Sequence, residues 1–465
     1  MKVTNFEDRI HVIDEDSNVT SVIKNIVEPN EQEDAFYVCD VGDMVAKYKT
    51  WKTQMPRVEP HYAVKCNDSP IVLSTLASLG LGFDCASKGE ISKILKLGVE
   101  PSRIIFANPA KPASHIRYAN TSDVKMMTFD SASELYKVKK MFPEAKMVLR
   151  IRYDAEVAQC RLGVKFGCDP VLEAPHLLQL AHTLGIQVIG ISFHVGSGCG
   201  DPPVFYKAIG AARKLFDYAE MELGFNMTLL DIGGGYPGDK GTSIDKIAYY
   251  VNKGLDDFFE DDTVRVIAEP GRFFVASAYT LVCNVYATRT IGDNQDPNKH
   301  TMYFINDGVY GSFNCMLYED RKVTPQLLKI NSTTEYPSSI WGPTCDGMDV
   351  IARSIMLPEV NIGDWIVFED MGAYTLSAAS AFNGFPVPKV HLIVDQPTWY
   401  FLRDEVCLTN EHFALGNDNI RLGLDDDFSA KPWTYPELPV SMSISRFDIS
   451  NGEQYQEHVL DYAKP

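Results

Sequence analysis

Short apolar segments separated by connections long enough to hold a helix run from residue 61 to residue 269. A parallel sheet needs crossovers of this length, and eight strand-plus-helix repeats close into a barrel. The sequence therefore predicts an α/β fold built on a TIM-type (β/α) barrel. The eight predicted strands are His61–Lys65, Gly82–Ala86, Ile104–Asn108, Met126–Asp130, Met147–Ile151, Val188–His194, Leu229–Gly233 and Val264–Glu269.

The pattern changes after about Ser277, where strand-like segments alternate with Gly, Pro, Asn and Asp turns and few long helical patterns remain. This composition is typical of a mostly antiparallel β domain. We expect four regions: residues 1–36 join the β domain, 37–277 form the barrel, 278–440 form the β domain, and 441–465 form a loosely held tail.

Composition excludes several classes of partner. The formal charge of −19 argues against nucleic acid or an anionic membrane face. The ten cysteines show neither CxxC pairs nor zinc-like spacing, and no signal peptide or long apolar run accompanies them. We therefore expect reduced thiols in a cytoplasmic protein and no metal site.

Polar or small residues stand at the C-terminal end of each predicted barrel strand. Barrels of this kind carry their functional sites on that face, so the sequence predicts one site there. The residues are Lys65, Asp84, Asn108, Asp130, Arg150, His194, Gly233–Gly235 and Glu269–Arg272.

Lys65 is the first candidate for chemistry, within V-E-P-H-Y-A-V-K-C-N-D. A lysine partly desolvated by Tyr62 and Val64 would have a lowered pKa and could condense with an aldehyde such as that of pyridoxal phosphate. A surface lysine at the start of a loop is the alternative that this stretch leaves open.

Two glycine-rich turns follow later strands. In I-S-F-H-V-G-S-G-C, His194 can lie against an aromatic ring while Ser197 and nearby amides hold a phosphate. In L-D-I-G-G-G-Y-P-G, three glycines let backbone N–H groups approach an anion. A core histidine and a simple tight turn are the respective alternatives.

Glu269 lies in A-E-P-G-R-F-F-V-A-S at the end of the last barrel strand. A buried carboxylate needs a cation, and a protonated pyridine nitrogen is one. Gly271 and Arg272 can reach a phosphate. A structural ion pair between Glu269 and Arg272 remains open at this stage.

Two turns of the β domain also carry reactive groups. W-G-P-T-C-D-G-M-D presents Cys345, a possible proton donor, beside Asp346, a possible ligand for an amine. E-D-M-G-A-Y ends at Tyr374, whose hydroxyl can bind a phosphate. A polar loop with a structural cysteine is the alternative for the first turn.

Seven motifs, in chain order, resemble those of the eukaryotic ornithine decarboxylase family, which belongs to the alanine-racemase-like pyridoxal-phosphate enzymes. They are Y-A-V-K-C-N, F-H-V-G-S-G-C, D-I-G-G-G-Y-P-G, A-E-P-G-R, N-D-G-V-Y-G-S-F-N-C, W-G-P-T-C-D-G-M-D and G-A-Y-T, and the match runs from about Phe36 to about Pro388. The resemblance implies a pyridoxal 5'-phosphate site formed by Lys65, Asp84, Arg150, His194, Ser197, Gly235, Glu269, Gly271, Arg272 and Tyr374.

The resemblance also assigns roles in catalysis. Lys65 would form the bond to the cofactor, His194 would stack on its ring and Glu269 would pair with the pyridine nitrogen. Cys345 would return a proton to the decarboxylated carbon. Tyr318, Glu319 and Asp346 would bind the substrate. The family assembles head-to-tail homodimers, in which Cys345 and Asp346 come from the partner subunit.

Glu319 departs from the family pattern, which has Asp after Leu-Tyr where this chain reads Leu317-Tyr318-Glu319. The extra methylene moves the carboxylate by about 1.5 Å. We predict decarboxylation of L-ornithine to putrescine, with lysine, arginine or a shorter diamino acid as alternative substrates.

A different class of function is also open, because antizyme inhibitors, non-enzymatic relatives, carry a glutamate here. In the family, the segment that corresponds to Asn108–Lys146 contacts antizyme. Antizyme inhibitors lose other cofactor-binding residues, whereas this chain keeps Asp84, Arg272 and Tyr374, which favours an enzyme.

Overall fold

The computed structural model describes residues 9–414 apart from 15, 30–31, 157, 161–162, 261–262, 293–298, 320, 331 and 405–412. The predicted tail, residues 441–465, lies outside the described residues. No helix in the described part of the chain is both long enough and apolar enough to span a bilayer.

The strands and helices follow in chain order. The strands are β1 (Ile10–Ile13), β2 (Phe36–Asp40), β3 (Val58–Ala63), β4 (Gly82–Cys85), β5 (Ile104–Phe106), β6 (Met126–Phe129), β7 (Lys146–Ile151), β8 (Ala158–Cys160), β9 (Gln187–Phe193), β10 (Ser197–Cys199), β11 (Leu229–Asp231), β12 (Arg265–Ala268), β13 (Tyr279–Ile291), β14 (His300–Ile305), β15 (Pro325–Leu327), β16 (Glu335–Trp341), β17 (Val350–Pro358), β18 (Trp365–Phe368), β19 (Lys389–Asp395) and β20 (Phe413–Ala414). The helices are α1 (Val19–Val27), α2 (Val41–Gln54), α3 (Pro70–Ser78), α4 (Lys88–Lys96), α5 (Ala113–Thr121), α6 (Ala132–Met141), α7 (Ala174–Thr183), α8 (Pro203–Leu223), α9 (Asp245–Phe258), α10 (Arg272–Val275), α11 (Cys315–Tyr318) and α12 (Gln396–Asp404).

The predicted barrel is confirmed. Strands β3 to β7, β9, β11 and β12 pair in parallel and close into a ring, with β12 beside β3 through Val266 and Val58. Each of the eight predicted segments overlaps one of these strands, although several extend a few residues past its C-terminal end. Helices connect most successive strands, as parallel pairing requires.

Two layers of side chains fill the barrel. The lower layer is an apolar cluster of Ile105, Met126, Val148, Ile189, Leu229 and Ile267. Because side chains alternate along a strand, residues two positions further on face the same interior. Thr128, Arg150, Asp231 and Glu269 therefore lie one layer closer to the C-terminal end, which places a polar layer above an apolar one.

The predicted β domain is a mixed, mostly antiparallel sheet. Its longest strand, β13, is antiparallel to β2, β14 and β18. Strand β1 pairs in parallel with β19, so the N-terminal segment lies in this sheet. Strand β2, which we expected to begin the barrel region, also pairs here, and α2 leads from it into the barrel.

Gly372 allows the β domain to run against the end of the barrel. A Cβ on Gly372 would lie 1.7 Å from the Val275 carbonyl oxygen, which no side chain tolerates. The Gly372 amide donates to Ala276 O at 3.1 Å, and the Asn67 side chain donates to Gly372 O at 2.9 Å. The segment that carries Tyr374 is therefore fastened beside the turn that carries Lys65.

Candidate active site

Lys65 lies in a 3-10 turn, Val64–Cys66, directly after β3. Its ammonium forms an ion pair with Asp84 of β4, whose side chain is fully buried, while the Lys65 side chain stays 42% exposed. Burial alone would lower the pKa of Lys65, but attraction from Asp84 raises it above its ordinary value. The prediction of a lowered pKa is wrong, because it did not include the neighbouring carboxylate.

Tyr374 is held next to the lysine turn by the backbone. Its amide donates to Cys66 O at 2.9 Å, and the Ser377 hydroxyl donates to the same oxygen at 3.1 Å. Tyr374 has a φ of +55°, a conformation that is uncommon for a residue with a side chain. Burial raises the pKa of its phenol, which therefore stays a hydrogen-bond donor at neutral pH.

His194 follows β9 and is a neutral imidazole. Its Nδ1 accepts a hydrogen bond from the Gly196 amide at 3.0 Å, which leaves the proton on Nε2. Burial, followed by repulsion from Arg150 and Lys65, holds its pKa well below the usual range. A Cβ on Gly234 would lie 2.8 Å from Nε2, so the glycine run packs closely against this ring.

Glu269 and Asp231 form a buried acidic pair at the ends of neighbouring strands β12 and β11. Their residues are 7% and 1% exposed. Burial is the largest cause that raises the pKa of each carboxyl, and the pKa of Glu269 rises further beside Asp231 and Asp84. Asp231 was missed from the sequence, although it lies in L-D-I-G-G-G two residues after the apolar Leu229.

Arg272 begins α10, and its guanidinium forms an ion pair with Glu319. One nitrogen, Nη2, donates to both oxygens of Glu319, at 2.9 and 2.7 Å. The guanidinium carbon lies 5.4 Å from the centre of the Tyr374 ring. Arg272 therefore pairs with Glu319 rather than with Glu269, which removes the structural ion pair left open above.

Two glycines complete a tight cradle near these residues. Gly235 has a φ of +115°, and a Cβ there would lie 2.7 Å from Gly196 O. A Cβ on Gly271 would lie 2.9 Å from the Cys66 Cβ. Ser197 begins β10, whose Cys199 amide donates to Gly235 O at 3.0 Å. Only glycine therefore fits at these two positions, because any side chain would collide with the neighbouring segment.

Cys345 and Asp346 lie in the turn between β16 and β17. Cys345 is exposed, and its amide donates to Asn383 Oδ1 at 3.1 Å. Asp346 accepts a hydrogen bond from the Tyr310 hydroxyl. Within the described residues, no hydrogen bond or ion pair joins this loop to Lys65, and Tyr318 is 72% exposed. A single chain therefore brings together the lysine group and Glu319, but not Cys345 and Asp346.

Asp349 is a second residue that sequence reasoning missed. It is 1% exposed and accepts from the Val309 amide at 2.8 Å, the Thr344 amide at 3.0 Å and the Thr344 hydroxyl at 2.6 Å. These bonds tie N-D-G-V-Y-G to the loop that presents Cys345. The sequence did contain a signal for it, because Asp349 is the last residue of the motif W-G-P-T-C-D-G-M-D.

The family model described as "Pyridoxal-dependent decarboxylase, pyridoxal binding domain" matches residues 41–276, which contain the barrel and the lysine turn. The chain belongs to the pyridoxal-dependent decarboxylases. Their cofactor, pyridoxal phosphate, is therefore the group against which the site has to be compared.

Named relatives agree with this family. The chain is 49% identical to ornithine decarboxylase of Mus pahari over 84% of this chain and 88% of the relative. It is 48% identical to antizyme inhibitor 2 of Xenopus laevis, over 81% of this chain and 85% of the relative. The crystal structure of the Paramecium bursaria Chlorella virus arginine decarboxylase matches with a TM-score of 0.76 at 41% identity, over 81% of this chain and 100% of the virus enzyme.

The residues of this decarboxylase fit pyridoxal phosphate. Several buried polar atoms at the barrel mouth lack a hydrogen-bond partner, which is costly unless a ligand supplies one. Carboxylate oxygens match a protonated ring nitrogen, and guanidinium donors match a phosphate. These atoms are Asp84 Oδ1, Asp231 Oδ2, Glu269 Oε1, Arg272 Nε and Arg272 Nη1.

Proposed function

We propose that this pyridoxal-dependent decarboxylase acts on a basic α-amino acid, with L-ornithine as its substrate and putrescine as its product, a step of polyamine biosynthesis. The observation that carries the proposal is the arrangement at the barrel mouth. Lys65 lies beside Asp84, a buried acidic pair lies below, and Arg272 retains two unused donors. The 49% identity to a named ornithine decarboxylase supports the choice of ornithine.

Pyridoxal phosphate, when bound, supplies a conjugated ring that accepts the electron pair left by departing carbon dioxide. Lys65 would hold its aldehyde carbon, and Glu269 would keep a proton on its ring nitrogen. His194, neutral because of burial, would lie against the ring without adding charge. Asp84 and Arg150 would lie near the cofactor.

The phosphate would be held by donors from several elements. Arg272 offers Nε and Nη1, and Tyr374 lies beside it with a protonated phenol. Gly235 and Gly271 would contribute backbone amides, and a side chain at either position would collide with its neighbours. Ser197 would add a hydroxyl.

Cys345 and Asp346 would reach a site from a second copy of the chain, which makes the active form a homodimer. Exposed apolar side chains accompany their loop: Met348 is 61% exposed and Phe382 43%. Phe382 packs on Tyr310 with ring centres 4.4 Å apart. A second copy of the chain that covers this face would bury the apolar surface. Cys345 of one copy would then lie near Lys65 of the other copy.

In that arrangement Cys345 would deliver a proton to the substrate carbon that loses carbon dioxide. Asp346 suits the distal cation of the substrate, because the Tyr310 hydroxyl and the Met348 amide lower its pKa and keep it ionised. Tyr318, exposed on α11, would line the same end of the site, and Glu319 would be the second carboxylate near the distal amine.

A non-catalytic role as an antizyme-binding regulator is the second candidate, because antizyme inhibitor 2 is 48% identical. In that case the face formed by residues 108–146 would contact antizyme. Retention of Lys65, Asp84, Arg272 and Tyr374 in one cluster favours the enzyme.

One experiment separates these candidates. The purified chain is incubated with pyridoxal phosphate, and carbon dioxide release is measured from ornithine, lysine, arginine and 2,4-diaminobutyrate. We expect release, with ornithine giving the highest kcat/KM, and a visible absorption band that borohydride removes. A protein without release and without that band is not a decarboxylase, and a different first substrate would replace ornithine.

A further inference from the structure

The guanidinium nitrogens of Arg272 differ in their hydrogen bonding. Nη2 gives its hydrogen bonds to both oxygens of Glu319, whereas Nε and Nη1 are buried without a partner. The two side chains are only 5% and 12% exposed, so water screens the pair weakly. Nη2 of the guanidinium is therefore paired with a carboxylate, whereas Nε and Nη1 remain as donors for an anion.

Glu319 is held in this position by its own segment. It directly follows α11, and its amide donates to Cys315 O at 3.0 Å. Nearby, the Arg321 side chain donates to Asp239 Oδ1 at 2.9 Å and to Asp370 O at 2.7 Å. These bonds place the backbone after α11 between the glycine-rich loop and the Tyr374 segment.

A phosphate on Nε and Nη1 would share one positive charge with Glu319. Two anions on one buried guanidinium repel each other, and the repulsion weakens the binding of both. A cation that pairs with Glu319 would offset its charge and leave more of the guanidinium charge for the phosphate.

We propose that Glu319 is a positioning residue that couples the distal cation of the substrate to the hold of Arg272 on the cofactor phosphate. This inference rests on the proposed function, since it needs a substrate with a distal cation. Binding at the two ends is reciprocal by linkage: a diamine that tightens phosphate binding is itself bound more tightly when the phosphate is present. The family aspartate is one methylene shorter, so the contact with Arg272 is a property of the longer glutamate in this chain.

The test uses the full chain stripped of its cofactor and two unreactive probes. Pyridoxine 5'-phosphate keeps the ring and the phosphate but has no aldehyde, so it forms no bond with Lys65 or with an amine. Putrescine supplies the distal cation. Calorimetric titration measures the Kd of pyridoxine 5'-phosphate with and without putrescine at matched ionic strength.

In the native chain we expect putrescine to lower this Kd about tenfold, the size of a typical coupling between two sites. Glu319→Gln keeps an oxygen that can accept from Arg272 Nη2 but removes the charge. It should bind pyridoxine 5'-phosphate more tightly than the native chain without putrescine, and putrescine should change its Kd less than twofold. Glu319→Asp keeps the charge but is one methylene shorter, so it should lose the contact with Arg272 and most of the response to putrescine.

Glu369→Gln is the matched control, because it removes a half-buried carboxylate that pairs with Lys240 at 2.6 Å. It should respond to putrescine like the native chain. Equal tightening by putrescine in the native chain and in Glu319→Gln would overturn the coupling while the proposed function stands. A native chain that binds no pyridoxine 5'-phosphate would overturn the proposed function and the coupling together. Thermal unfolding confirms that each variant is folded before titration.

Discussion

Lys65 and Asp84 form an ion pair at the point where β3 and β4 end side by side. Ala63, the last residue of β3, is in register with Asp84 on β4, and Lys65 follows in the turn. Asp84 is fully buried, so it acts on the lysine through a medium that screens charge weakly. Asp84 thereby keeps Lys65 protonated and also fixes the direction of its side chain.

Removal of the Asp84 charge should make Lys65 more reactive at low pH. Only the neutral amine attacks an aldehyde, and Asp84 raises the pKa of Lys65. In Asp84→Asn we expect the pH profile for the appearance of the visible band with pyridoxal phosphate to move toward lower pH, measured by stopped-flow absorbance. Asp68→Asn removes a carboxylate from the exposed pair with Lys93 and should leave the profile unchanged. An unmoved profile in Asp84→Asn would exclude Asp84 as the cause.

Mixed dimers should recover activity from two inactive chains. Lys65→Ala and Cys345→Ala each destroy both sites of a homodimer if each site takes one group from each subunit. Half of randomly mixed dimers are mixed, and one of their two sites is intact, so roughly a quarter of native activity should return. Unfolding and refolding the two variants together, followed by a carbon dioxide assay, measures this. No recovery would mean that each site is built within one chain.

The Thr344 hydroxyl should stabilise the loop that carries Cys345. It donates to the buried carboxylate of Asp349 at 2.6 Å, and a hydrogen bond to a charged group contributes about 1.5–3 kcal/mol. Thr344→Val should lower the free energy of unfolding in urea by about that amount and reduce kcat, because the next residue is Cys345. Thr183→Val loses an exposed hydroxyl bond to Gln179 O and should change neither quantity appreciably. Equal effects in both variants would contradict a special role for the Asp349 contact.

Two substitutions of Asp231 should distinguish its contribution to stability from its contribution to catalysis. Its Oδ1 accepts from the Gly233 amide at 2.9 Å. Asp231→Asn keeps this acceptor, so we expect native stability with a lower kcat, because the acidic pair with Glu269 is lost. Asp231→Leu leaves the buried amide unpaired and should also cost about 1–3 kcal/mol in the free energy of unfolding. Full kcat in Asp231→Asn would show that Glu269 works without its neighbour.

His61 should make the fold less stable in acid. It is 1% exposed, both ring nitrogens lack a partner, and burial lowers its pKa to about 4. The unfolded chain takes up the proton first, near pH 6.5, so the contribution of His61 to stability is lost as the pH falls from 6.5 toward 4.

Between pH 7 and pH 5 this loss amounts to about 2 kcal/mol. His61→Leu cannot titrate, so the free energy of unfolding of the native chain relative to this variant should fall by about that amount over the same range. Urea unfolding at several pH values measures the difference. A difference that does not change with pH would mean that His61 has the same pKa in the folded and the unfolded protein.

The sequence by itself determined the barrel and where its site would be. Eight apolar runs such as Ile104–Phe106 and Leu229–Asp231 could form strands only by burial on both faces, and the spacing between them required parallel pairing. The polar residue that ended each run, such as Asp84 or Glu269, then had to lie on one face of the barrel. Local pattern sufficed here because strand period and crossover length are properties of neighbouring residues.

Tertiary structure alone decided which charges meet. Arg272 and Glu319 are 47 residues apart, and Val309 and Asp349 are 40 apart, so neither contact follows from a local period. The raised pKa of Lys65 depends on Asp84, 19 residues away in the chain but adjacent in the barrel. Electrostatic interactions depend on distance and burial, and both are set only when the strands and loops have packed.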